Sequence, residues 1–472
     1  QLHAATWNAP YHREQWVERF GAQKPVDQRW MQGFRAEALS LCRRLGITAL
    51  GIHNDAPNLT NMPQGAILPY IRRYQPVVLS HYTYPQAENY HDVFAPDFVV
   101  HCDNVARQQA LPYKDDPMLI GYSMADAPLL TDAAVRNRPE GATTWPRVLR
   151  NLGSEAPGKQ AYVQMMRERH NDIAALNDAY GTSFDTWQSL AEAEDWRPRT
   201  DYDNTIELED NAAFLRLCID RYYTVAKASL RKIDPNHMFL GDKLGARGDN
   251  FDAVIETAAP HVDIINYGHY GRLSEQAAVI DRWTERLKKP FLSADGAFAV
   301  RSEMLPNPMG TVAEDWAECS EWTRELAAGL FARPDVVGWN ICGVMELWKT
   351  APGREKKQHQ GIMDPFGKIQ PGMESAIRDV TSRLYHIANT QNTEAEDVGA
   401  TPADDEAPNI IGRKGFVHVE RTGGVWFMVN AEGERFVPTG MNHVGPMSRF
   451  APYNRDFWIE QFGPRLFSES GY

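Results

Sequence analysis

Residues 1–390 predict an α/β chain built as a (β/α)8 TIM barrel, on three observations. Short, near-continuous apolar runs recur, as strands covered on both faces require. Each run is followed by a polar cluster and then by a segment of helical period, the alternation that makes βαβ units and a parallel sheet. Several runs also end abruptly on a charged or hydrogen-bonding residue, and the C-terminal ends of barrel strands are where chemistry sits.

The runs, in order, are ITALGIHND (47–55), PVVLSHY (76–82), MLIGYSMAD (118–126), HMFLGDK (237–243), VDIINYGHY (262–270), KPFLSAD (289–295) and DVVGWNICG (335–343). The first is preceded by a helical pattern over 31–45, which carries Phe34, Leu39 and Leu41 and ends near Gly46. Between the third and fourth lies a long insert, residues 129–210, which is expected to wall the cleft. It holds one predicted helix, QAYVQMMRERHNDIAALNDAY (160–180), and two tryptophans, Trp187 and Trp196, for which core packing is an equally good reading. The helix over 213–233 places Phe214, Leu217, Cys218, Tyr222, Val225 and Leu230 at helical spacing, and Asp234-Pro235-Asn236 stops it.

Seven strands leave two sheet edges bare, and unpaired edges must be covered. Residues 391–408 are acidic, rich in Ala and Pro and poor in apolar residues, a linker composition. Residues 409–472 then read as β-hairpins around Thr-Gly-Gly and Ala-Glu-Gly turns, followed by a barrel-type run, FVPTGMNHV, ending on Asn442 and His443. APYHREQWVERFG (9–21) matches APYNRDFWIEQFG (451–463) at eight of thirteen positions. Two readings follow. The tail opens a second barrel, or its strand closes this one, in cis or by exchange with a neighbouring chain in a homo-oligomer.

The composition is that of a globular protein, 43% hydrophobic and 24% charged over 472 residues. A net charge of −13 argues against nucleic acid or an anionic membrane as partner. No apolar run approaches the roughly 18 residues of a membrane span. The five cysteines are an odd, widely spaced set without a CxxC, so neither a disulfide framework nor a zinc site is read from them. No secretory leader is read in the opening residues. A processed, exported chain, secreted or periplasmic, is favoured over a cytoplasmic one.

The strand ends gather His53, Asn54, Asp55, His81, Tyr82, Asp126, Asp242, Lys243, Tyr267, His269, Tyr270, Asp295 and Asn340, with Glu346 and Trp348 just beyond the last. There is no Walker A motif, no GxGxxG after a strand and no HExxH, so no cofactor and no metal is expected. His53 and Asp55 are the nearest to a ligand pair, and ordinary loop polarity explains them better. Carboxylates facing one another over a cleft suit glycoside hydrolysis, in which one acid protonates the leaving oxygen and a second attacks or activates water. Asp126, Asp295 and Glu346 are the catalytic candidates. The other strand-end residues, with Asn442 and His443, are substrate-binding candidates. Lys243 and Arg247 suit sulfate or uronate groups on a polysaccharide.

The segments RWMQGFRAEALSLCRRLGITALGIHND, DPMLIGYSMADAP, IDPNHMFLGDKL, VDIINYGHY and KPFLSADGAF resemble, in order and spacing, the β-agarase-type glycoside hydrolases of family 50. The tail GFVHVERTGGVWFMVNAEGERFVPTGMNHV resembles the segment that opens such barrels. The resemblance implies a retaining (β/α)8 hydrolase of a marine-type galactan. It also exposes two departures. Where the family's pattern ends IGYFxDNE with a glutamate as acid/base, this chain reads IGYSMADAP, with Asp126 on the asparagine and Ala127 on the glutamate. Where the family's nucleophile is a glutamate in KPxxIxEF, this chain has Asp295. One methylene fewer withdraws the carboxyl by about 1.5 Å, and a ~1 Å misplacement can cost about 100-fold in rate. A non-catalytic polysaccharide-binding barrel is therefore the alternative expectation.

Overall fold

The computed structural model describes residues 40–54, 68–77, 90–126, 129, 131–136, 142–199, 202–245, 251–351, 358–388, 409–444 and 451–462. The strands, in chain order, are β1 (Ala49–Leu50), β2 (Tyr70–Arg73), β3 (Leu119–Asp126), β4 (Met238–Gly245), β5 (Ile265–Gly268), β6 (Phe291–Asp295), β7 (Phe298–Val300), β8 (Thr311–Ala313), β9 (Val336–Ile341), β10 (Ile410–Ile411), β11 (His418–Thr422), β12 (Val425–Val429), β13 (Arg435–Phe436) and β14 (Thr439–Met441). Eight of them form a closed parallel barrel in the order β1, β14, β9, β6, β5, β4, β3, β2. The short strands β7 and β8 form a separate pair.

The second strand is not where the apolar run suggests. PVVLSHY begins in a bend, and its residues 78–82 lie outside the described part, whereas the barrel uses Tyr70-Ile71-Arg72-Arg73. Two arginines disguise that strand. Ile71 enters the barrel core, and Arg72 leaves it to lie over the Tyr113 ring, 4.2 Å from its centroid.

The outer helices follow the 3.6-residue period. The longest, Thr205–Ile233, buries Phe214, Cys218, Tyr222, Val225 and Leu230, and Asp234 caps its end. Leu217, assigned to the same apolar face by spacing, is 43% exposed, because the buried face lies along 214, 218, 222 and 226. In the insert the helix expected over 160–180 is two, Pro157–Arg169 and Ile173–Tyr180, since Asp172 caps the second through its side chain. Trp187 and Trp196 pack on the core, and Trp196 Nε1 donates to the Arg150 carbonyl at 3.0 Å. All five cysteines are buried and unbridged.

Strands β10 to β13 form an antiparallel sheet separate from the barrel. Its Val417, Val419, Trp426 and Met428 share one apolar cluster with the inward-facing Ile71, Ile120, Met238, Leu240, Leu292 and Val337. Contacts from Trp426 N–H to the Pro334 carbonyl and from Arg413 to Asn236 place it at the ends where β9 and β4 begin. The sheet therefore plugs the N-terminal mouth and leaves the C-terminal mouth to polar side chains. The tail then runs into β14, which pairs with β1 through Ala49–Gly440 and with β9 through Gly440–Asn340. The barrel is closed by this strand within the chain. The first copy of the sequence repeat, 9–21, and the acidic stretch 391–408 lie outside the described residues, while the second copy contains the helix Arg455–Phe462. Among the described residues no helix is long and apolar enough to cross a membrane.

Closure requires small residues at the seam. A Cβ on Gly338 of β9 would meet Pro438 Cγ at 2.6 Å and the Pro438 carbonyl oxygen at 2.9 Å, both rigid. Gly338→Ala should therefore loosen β14 from β9 and cost about 1–3 kcal/mol, read as a lower urea-unfolding midpoint at unchanged slope.

Candidate active site

Backbone register brings the acids together. Asp126 at the end of β3 is paired with Lys243 on β4, and Gly268 of β5 is paired with Asp295 of β6. Gly268 matters because it stands between β4 and β6. A Cβ there would lie 2.9 Å from Lys243 Cδ, so its absence lets the lysine stem cross β5 to reach Asp295. The Lys243 ammonium contacts Asp126 Oδ1 at 2.9 Å and also pairs with Asp295 Oδ2. His53, just past β1, sits over the same group: its Nε2 is 3.1 Å from the ammonium, 3.6 Å from Asp295 Oδ2 and 3.9 Å from Asp126 Oδ1.

Asp295 is held on its other side by Asn442, whose Nδ2 donates to Oδ1 at 2.9 Å and to the Ala294 carbonyl at 2.8 Å. Burial pushes the Asp295 carboxyl up, but the Lys243 ammonium, then His53 and the Cys342 thiol, outweigh it and hold it well below the usual carboxylate range. Asp295 is thus an ionised carboxylate, 1% exposed.

Glu346 has the opposite character. It lies beyond β9, 4% exposed, with Oε2 accepting from Trp348 Nε1 at 2.8 Å and Oε1 from Gln370 Nε2 at 2.7 Å. Burial pushes it up to about 7, against those two hydrogen bonds and with the Asp364 charge adding to the rise. The tail supports this corner. Tyr453 Oη accepts from the Trp348 backbone N–H at 3.2 Å, and the two rings stack at 5.4 Å.

The other strand-end residues divide. His443, beyond β14 with φ 59°, stacks on His53 at 5.0 Å and meets the edge of His359 at 5.1 Å. Tyr270 lies beside the Cys342 thiol, and His269 Nε2 lies 3.8 Å from Glu275 at the rim. Asn340 is buried inside the barrel against Gly440.

Three expected binding residues are engaged elsewhere. Asn54 spends its amide on the backbone: Nδ2 donates to the Gly51 and Met441 carbonyls, and Oδ1 accepts from Val444 N–H. It staples β1 to β14. Tyr267 is fully buried between barrel and helix, its hydroxyl on Gln276 and its ring on Trp283. Asp242 is buried with its backbone N–H on Tyr223 Oη, and burial drives its carboxyl well up. Nor is Lys243 an open site for sulfate, because its charge is matched by two carboxylates. Asp55, His81, Tyr82 and Arg247 lie outside the described residues.

Three residues at this mouth were not among the candidates. Cys342 is the last polar side chain of the DVVGWNICG run, so the strand-end rule reaches it. His359 and Gln370 come from connections without periodicity, and nothing local in the sequence marks them.

No family profile matches the chain. It is similar to β-agarase B of Vibrio sp. (strain JT0107), 25% identical over 184 residues, 38% of this chain and 18% of that protein. Among solved structures the chain is similar to an exo-β-agarase, with TM-score 0.62 and 19% identity over 80% of this chain and 51% of the other. It is also similar to the agarase AgWH50C, with TM-score 0.61 and 18% identity over 76% and 50%. The chain thus spans about half the length of these two structures and less than a fifth of the curated relative.

The Glu346 environment has a measurable signature. An acid whose pKa is raised on folding leaves the folded chain holding more protons than the unfolded one, so stability falls as pH rises from about 4.5 to about 7. The loss amounts to about 3 kcal/mol and is complete above that window. Glu346→Gln should flatten this slope, so urea unfolding at pH 5 and pH 8 should separate for the parent and coincide more closely for the variant.

Proposed function

We propose that the chain is the barrel of a glycoside hydrolase acting on an agarose-type galactan. The observation that carries this reading is the meeting of two carboxylates, Asp126 and Asp295, from different strands over a single ammonium at the C-terminal mouth. Asp295, ionised and oriented by Asn442, is the nucleophile. Its carboxylate attacks the anomeric carbon as the glycosidic bond breaks, and water then cleaves the glycosyl ester. The leaving oxygen needs a proton, and Ala127 has none to give. Glu346, which holds a proton near neutral pH, takes that role, and Lys243 offsets the charge on the carboxylate pair. Aromatic groups at the mouth, Trp348 and Tyr453 above all, offer faces for sugar rings.

A second reading is favoured by the same ammonium. With Oδ1 of Asp295 held by Asn442 and Oδ2 paired with the Lys243 ammonium, both oxygens are engaged and the charge needed for attack is neutralised unless substrate displaces the lysine. In that case the barrel binds the polysaccharide without cleaving it.

The two readings part on one assay. Reducing ends released from agarose should fall by roughly 1000-fold or more in Asp295→Asn, with binding of agaro-oligosaccharides retained. Bound sugar with no release by the parent, and no change on Asp295→Asn, selects the binding barrel instead.

A further inference from the structure

We propose that the C-terminal mouth holds a zinc-type metal ion on Cys342, His359 and His443. These three side chains come from beyond β9, from the following connection and from beyond β14, and their ligand atoms all lie within 4.8 Å of one another. They are a soft thiol and two imidazoles, the donor set that selects zinc over magnesium or calcium.

The geometry is already close to that of a tetrahedral site. Zn–S of about 2.3 Å and Zn–N of about 2.05 Å at a tetrahedral angle place sulfur and nitrogen about 3.6 Å apart. Cys342 Sγ and His359 Nε2 stand 3.6 Å apart. The widest ligand-atom separation, at most 4.8 Å, exceeds that value by about 1 Å.

The outer contacts are those of ligating histidines. His359 Nδ1 lies 2.6 Å from the Gln360 carbonyl, which takes the proton of that nitrogen and turns the lone pair of Nε2 toward Cys342. Gly343, with φ 88°, permits this approach, since a Cβ there would lie 2.3 Å from the same carbonyl oxygen. His443 is held in the left-handed region, φ 59°, where a non-glycine residue costs energy, and its ring is fixed between His53 and His359. The Gln360 side chain, 1% exposed, has no hydrogen-bond partner on either Oε1 or Nε2. It is an unsatisfied amide on the residue adjoining a proposed ligand.

Binding converts the Cys342 thiol to a thiolate and releases its proton. In the structure that thiol lies in hydrogen-bonding contact with Asp295, so the ion would take over from the thiol as the neighbour of that carboxylate. Three protein ligands leave a fourth position open to water, Asp295 or a sugar hydroxyl. The proposal concerns ion binding and stands whether the barrel cleaves sugar or only holds it.

The test uses the whole chain, stripped with a chelator and titrated with Zn2+ or Co2+. One cobalt ion per chain is expected, with a thiolate-to-cobalt charge-transfer band and the visible bands of tetrahedral cobalt. X-ray absorption of the zinc form should show one sulfur and at least two imidazole nitrogens. Cys342→Ser, checked for fold by circular dichroism, should lose the band and weaken zinc binding at least about 100-fold. A coordination shell of oxygen and nitrogen alone, binding of less than one equivalent, or a band that persists in Cys342→Ser would overturn the assignment. The absorption measurement on the parent decides the matter even if the variant does not fold.

Discussion

The strand that closes the barrel comes from the far end of the sequence, and the site depends on it. Without β14 the sheet between β9 and β1 has two bare edges, each a row of unpaired peptide groups. With it, Thr48 and Thr439 join by a 2.9 Å backbone bond, and the Thr48 hydroxyl both accepts from Thr439 N–H and donates to the Val437 carbonyl. Asn54 adds two bonds across the same seam, to the Met441 carbonyl and from Val444 N–H. Closure also delivers chemistry, because the next two residues are Asn442, which orients Asp295, and His443, which stacks on His53. One strand supplies both the last segment of wall and two side chains of the mouth.

The charges at that mouth explain one another only as a set. Two neighbouring carboxylates, one of them fully buried, would repel and take up protons without a cation, and a lone buried ammonium would lose one. Lys243 between Asp126 and Asp295 resolves both costs, and His53 Nε2 lies within 4 Å of all three groups. Such clusters are seldom present for stability, since well-packed apolar groups would serve as well. Glu346, beyond β9, has the opposite character. The two groups are tuned apart by surroundings: an ammonium that outweighs burial for Asp295, and burial that outweighs two neutral hydrogen-bond donors for Glu346.

Much of this was legible in the sequence, and the gaps have physical causes. Strand ends that are apolar to their last residues, as in MLIGYSMAD and KPFLSAD, point to Asp126 and Asp295 because burial on both faces leaves only the tip free for polarity. The strand at Tyr70–Arg73 was hidden because one of its faces meets a tyrosine rather than aliphatic side chains, which lets arginine stand where valine is expected. Asn54 and Tyr267 have the right residue types at the right strand ends, but hydrogen bonds to the backbone and to Gln276 use them up. Only three dimensions reveal that. Lys243 was legible as a cation but not as the partner of both acids, since that depends on a glycine one strand away. His359 lies 17 residues from Cys342, and the two meet only through the fold.

The seam also sets the order in which the molecule can come into being. Ala49 and Gly440 are neighbours in space but stand at opposite ends of the described chain. A ribosome making this protein releases six barrel strands and β9 long before their closing partner exists, and closure over so long a loop is slow. During that interval the nascent sheet is an open trough with its apolar interior exposed at the mouth that β10 to β13 later plug. The plug and the closing strand are contiguous, so both hazards end together once residues 410–441 emerge. Until then a chaperone, or a second nascent chain offering its own edge, would find the trough available.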